Sequence, residues 1–161
     1  MRKLKIYLDT SVVSHLDQQD VPERMAETHK LWKRIKANEY EVVMSDVTIR
    51  EMAACEESKR DTLFEYLDQI KYEVVAVNER MVEIAGKIVD LGILRQKSYD
   101  DCQHIAAAVV SECDVIVSWN FSHIVNPKTI NGVKAVTALE GYRGLLIYTP
   151  SILAGGEDND T

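Results

Sequence analysis

Five short apolar runs, each rich in β-branched or aromatic residues, recur along the chain with helical patterns between them, and this alternation sets the tightest limit on its fold. The runs are LKIYL at 4–8, EVVMS at 41–45, YEVVAV at 72–77, DVIVS at 114–118 and LLIYT at 145–149. Between them, Pro22 suits the first turn of a helix carrying Met25, Leu31, Trp32 and Ile35. Asn78 suits the cap of another, carrying Met81, Ile84, Ala85, Ile88 and Leu91. Residues 46–70 read as two helices, DVTIREMAAC and SKRDTLFEYLDQI, while Ser98 with Asp101 forms an S-x-x-D box opening the helix DDCQHIAAAVVSEC. Parallel neighbours need crossover connections, so the alternation predicts an α/β fold, a three-layer α/β/α sandwich around a central, mostly parallel five-stranded sheet.

At 161 residues with 46% hydrophobic content, the chain has enough apolar surface for one core. A single domain over 1–153 is expected, followed by an acidic flexible tail over 154–161. A net charge of −7 excludes a generally basic nucleic-acid coat, so a polyanion has to be met by a local patch. The three cysteines, Cys55, Cys102 and Cys113, lack C-x-x-C spacing, which argues against a disulfide framework or zinc site and suits a reducing cytoplasm. No apolar run approaches the roughly 18 residues of a membrane span, and MRKLK leads straight into a strand, so a cytoplasmic location is expected.

In open α/β sheets the functional crevice lies beyond the carboxyl ends of the strands, so an acid's place along its strand decides whether it can serve chemistry. Asp9 follows the first strand directly and precedes Thr10 and Ser11; it suits either a turn cap or a ligand. Glu51 shares a helical face with Val47 and with Ala54 or Cys55, an apolar stripe in which an acid needs a partner such as Arg50 or a lysine. Asp101 lies one turn ahead of Ile105, where the buried face begins, whereas Asp100 projects about 100° away. SWNFSH at 118–123 places Asn120 and His123 at the exit of the fourth strand, and Asp114, at its entry, is excluded by position. Acids gathered at one edge repel one another unless cations occupy the cluster, and hard oxygen ligands suit Mg²⁺ or Mn²⁺.

YLDTSVVS, SDVTIREM, DCQHIAAA and DVIVSWNFSHI, in this order and with a closing RGLLIYTP, resemble the PIN domain, and within it the small prokaryotic VapC-type toxin ribonucleases. The resemblance runs from about residue 4 to 153. It implies metal-dependent hydrolysis of single-stranded RNA, with Mg²⁺ or Mn²⁺ as cofactor, an antitoxin protein as a partner and a homodimer as a compatible assembly. It carries the family's first three acids, as catalytic and metal-binding residues, onto Asp9, Glu51 and Asp101. The fourth acidic position falls on Asn120, whose amide oxygen can ligate a cation but brings no charge. His123 stands where many relatives have another acid, and Thr10 or Ser11 would hold Asp9 in place.

Beside the acids, the loop LGILRQKS offers Arg95 and Lys97 as RNA contacts, a better placement than Lys33, Arg34 and Lys36 on a helix face. His104 reads as a neutral, hydrogen-bonded histidine near the core, and Trp119 as packing at the core's rim. A second functional class is a catalytically weak PIN-like module that binds RNA or protein, motivated by Asn120. A third, a phosphotransferase with a strand-end aspartate nucleophile, normally wants another aspartate two residues on, where this chain has Ser11.

Overall fold

A computed structural model describes residues 2–155. Five strands, β1 (Leu4–Leu8), β2 (Tyr40–Ser45), β3 (Glu73–Val75), β4 (Val115–Val117) and β5 (Leu146–Tyr148), form one sheet in the order β3-β2-β1-β4-β5. Every pairing is parallel, so the expected sandwich is observed with an all-parallel sheet. Ile6 on the central strand registers with Val42 on one side and Val115 on the other.

The helices are α1 (Thr10–Ser14), α2 (Pro22–Lys36), α3 (Asp46–Ala53), α4 (Glu57–Leu67), α5 (Glu79–Asp90), α6 (Tyr99–Val110), α7 (Pro127–Glu140) and α8 (Pro150–Ala154). Successive strand residues point to opposite faces, and this splits the interior in two. Tyr7, Val43, Ile116 and Ile147 pack with Ile84 and Ile88 of α5, Ile105 of α6 and Val133 of α7. Ile6, Leu8, Val42, Met44, Val115 and Val117 face Leu31, Trp32 and Ile35 of α2, Met52 of α3 and Leu63 and Leu67 of α4.

Local chemistry explains the boundaries. Pro22 opens α2, and Asn78 caps α5 by accepting the Met81 amide. The box expected at Ser98 does not form: its side chain makes no cap bond, because Ser98 sits at the end of a tight 3-10 turn, with φ −102° and ψ 30° instead of the extended backbone a capping side chain needs. Helices α1, α7 and α8 were not among the expected elements. Helix α7 is opened by Asn126, whose side chain accepts the Thr129 amide, and by Pro127 in its first turn. The chain stays helical to Ala154, which is buried, and the rest of the expected acidic tail, residues 156–161, lies outside the described residues. Among the described residues no helix is long and apolar enough to cross a membrane.

Candidate active site

Asp9 leaves the central strand and is 3% exposed. Oδ1 accepts from the Ser11 hydroxyl at 2.6 Å and the Val12 amide at 3.3 Å, so Asp9 is the N-cap of α1. Oδ2 accepts from the Ser118 hydroxyl at 2.5 Å. Both serines are themselves held by the loop after β4: the Trp119 amide donates to Ser11 and the Asn120 amide to Ser118. All these donors are neutral. Burial therefore pushes the Asp9 carboxyl above its ordinary value, against the pull of His104 and the two hydroxyls.

Of the two hydroxyls expected as alternatives for holding Asp9, Ser11 does so and Thr10 reaches across to α3. Its hydroxyl donates to Glu51 Oε1 at 2.7 Å, and Nε2 of His104 meets the same oxygen at 2.6 Å. An ionised carboxylate only accepts, so Nε2 carries a proton. The other ring nitrogen, Nδ1, bonds the Tyr7 hydroxyl at 2.7 Å, and Tyr7 continues to Ser45 at 2.8 Å. Burial raises the Glu51 carboxyl, but hydrogen bonds and charge from His104, then Thr10, hold it below its ordinary value. Arg50, weighed as Glu51's partner, pairs with Asp100 at 2.8 Å because successive helix positions point about 100° apart.

One turn before His104, Asp101 Oδ2 lies 2.8 Å from Nδ1 of His123. Asn120 Oδ1 accepts the His123 amide at 2.9 Å and so shapes the turn that presents the imidazole. Asp114, at the opposite end of β4, is bound by Arg2 and Arg143.

The segments named from sequence are thus tied together at the C-terminal edge of the sheet: Ser118 to Asp9, Thr10 and His104 to Glu51, His123 to Asp101. Sequence reasoning left His104, Tyr7, Ser45 and Ser118 outside the site. His104 is 2% exposed and bridges sheet and site; its signal was the three-residue spacing from Asp101, which puts both on one helical face. Arg95 and Lys97 line a cavity with His123 and do not touch the carboxylates directly.

As donors, three carboxylates and an amide oxygen suit a hard divalent ion. Asp9, buried with only neutral hydrogen-bond donors, is the member that most lacks a positive charge. As placed, Glu51 and Asp101 each take a histidine, and among the described residues no three His, Cys, Asp or Glu side chains form a group that could hold a metal. In donor type the residues suit such an ion.

The all-parallel α/β architecture has a likeness among solved structures. A chain of the crystal structure of VapBC2 from Rickettsia felis bound to a DNA fragment from their promoter matches with a TM-score of 0.57, covering 91% of this chain and 98% of that one. Sequence identity is 8%, so the likeness is one of fold. No protein-family model matches the chain, and no curated protein matches it.

Proposed function

We propose that the protein is a divalent-cation-dependent endoribonuclease, hydrolysing phosphodiester bonds of single-stranded RNA in the cytoplasm as the toxin of an antitoxin-controlled pair. The observation that carries this reading is that Asp9, Glu51 and Asp101 follow the sheet's exit edge and are each held there by hydrogen bonds, from Ser11 and Ser118, from Thr10 and His104, and with His123. Ser11 and Ser118 orient the Asp9 carboxylate, leaving its charge uncompensated for a cation. Thr10 and His104 keep Glu51 ionised and aimed. A bound Mg²⁺ or Mn²⁺ would supply an activated water and neutralise developing charge on the phosphate. His123 stands beside Asp101 with its other ring nitrogen available to substrate. An antitoxin partner and a homodimer follow from the VapC resemblance.

A second reading, a PIN-like module that binds RNA or protein without cutting, is favoured by a specific arrangement. Every acid already has an internal partner, and the fourth position is Asn120, whose oxygen is engaged by His123. RNA cleavage measured with and without Mg²⁺ or Mn²⁺ separates the two. Ion-dependent cutting by wild type, lost by at least about a hundred-fold in Asp9→Asn and raised in Asn120→Asp, supports the nuclease. Equal cutting by wild type and Asp9→Asn removes the site, and no cutting even by Asn120→Asp favours the binding module.

A further inference from the structure

Beside His123, which bonds Asp101, a cavity of about 220 Å³ opens between the 93–98 loop and the turn that starts α7. It is smaller than the roughly 300–1,000 Å³ of a typical small-molecule pocket and has room for a phosphate group. Arg95, Lys97 and Lys128 stand on its wall, and among the described residues no ion pair or hydrogen bond engages their side chains. Elsewhere six guanidinium groups, those of Arg2, Arg34, Arg50, Arg60, Arg80 and Arg143, each pair with an acid, and Arg24 lies over the rings of Trp119 and Phe121. In a chain of net charge −7, three uncompensated cations around one hollow mark a local site for an anion.

A second observation is independent of charge. Ser98 is only 8% exposed and lines the same cavity, yet its hydroxyl has no partner among the described residues. Trp32 Nε1 is the one sealed side-chain polar atom without a partner among the described residues, so the Ser98 hydroxyl is open to the cavity and can donate to an anion held there. The amino end of α7, a 14-residue helix, adds its dipole from the same wall. The walls are also held together: a Cβ on Gly132 of α7 would lie 2.5 Å from Ile93 Cγ1, so the loop packs directly on the helix.

The geometry points to a phosphate-binding subsite in which Arg95, Lys97, Lys128 and Ser98 take a backbone phosphodiester of single-stranded RNA and lead the strand past His123 to Asp101. The inference rests on the nucleic-acid part of the proposed function. Two lysines, an arginine fork and a hydroxyl suit a phosphate group, which lysine meets as a point charge and arginine bidentately.

The test is fluorescence anisotropy of a labelled oligouridylate with the full-length protein in EDTA, where divalent-dependent cutting is silent. Lys97→Gln with Lys128→Gln should bind about ten-fold more weakly, its salt dependence reduced by roughly 0.7 in log–log slope for each cation lost. Lys33→Gln with Lys36→Gln on α2 makes the same change in net charge and should bind as wild type. Ser98→Ala should weaken binding several-fold with an unchanged melting temperature, which keeps the test decisive if the double variant misfolds. The proposal is overturned if the Lys97/Lys128 variant binds as wild type, if the α2 variant weakens equally, or if an oligoglutamate peptide displaces the RNA as well as unlabelled oligouridylate does. Cavity-dependent binding without ion-dependent cleavage would sink the nuclease reading alone; cleavage with cavity-independent binding would sink this inference alone.

Discussion

Asp9 carries two roles that oppose each other energetically. As the cap of α1 it stabilises the fold, and as a charge buried among neutral donors it opposes it. Its carboxyl is raised in the folded state, so the native protein binds more protons than the unfolded chain as this group titrates, and the penalty is fully present once pH exceeds the folded-state value. Asp9→Asn keeps an oxygen for the serine hydroxyls and removes the charge. Thermal melts at pH 7 should show the variant more stable than wild type by about 1 kcal/mol, with the advantage shrinking in acid as wild-type Asp9 protonates. A lower melting temperature for the variant at pH 7 would mean that the charged hydrogen bonds outweigh the burial. Asp9 was legible in the sequence because its strand ends directly before it. Which of Thr10 and Ser11 would hold Asp9 was not, since adjacent positions in a first helical turn look alike until the neighbouring helix is in place.

At the scale of elements, the 93–98 loop owes its position to two glycines with different jobs. Gly92, at φ 73°, ends α5 in the left-handed region, and the Ile93 amide bonds back to the Ile88 carbonyl. Gly132 gives Ile93 the space to lie against α7. Alanine is the better helix former by about 0.5–1 kcal/mol, but at 132 its Cβ would collide with a β-branched, buried side chain, and overpacking of this kind costs about 1–3 kcal/mol. Gly132→Ala should therefore destabilise by about 1 kcal/mol in urea denaturation. Gly86→Ala within α5, where nothing lies within 4 Å of the added carbon, should stabilise by about 0.5–1 kcal/mol. Two gains, or two losses of equal size, would contradict the packing argument. Helix α7 escaped the sequence reading because its buried positions, Thr129, Val133, Val136 and Thr137, include two threonines and give only a faint apolar stripe; its legible signal was Asn126-Pro127.

For the whole molecule, charge is divided between the two ends of the sheet: acids with hydroxyl and imidazole partners at the exit edge, an arginine-clamped Asp114 at the entry. Asp114 accepts the Lys5 amide at 2.7 Å and bonds Arg2 and Arg143. The Arg2 bond, reinforced by Lys5 and Arg143, holds its carboxyl below its ordinary value of 3.8. A lowered carboxyl contributes stability that is present above the unfolded value and disappears as pH falls through the folded one. Asp114→Asn should therefore lose up to about 1 kcal/mol at neutral pH, the limit set by solvent screening of exposed Arg2. The difference from wild type should shrink as pH falls below 3.8, and RNA cleavage should be unaffected. Guanidinium denaturation across that range, with a parallel cleavage assay, checks both halves. The amino-acid sequence by itself determined the layers, the parallel sheet and which end of it the acids occupy, because hydrophobic period and strand order act locally and are written residue by residue. Only the tertiary structure decided which acid meets which donor, that His104 joins sheet to site, and that Arg95, Lys97 and Lys128 share one hollow. Those pairings join residues far apart in the chain, and they exist only once packing has brought the helices together.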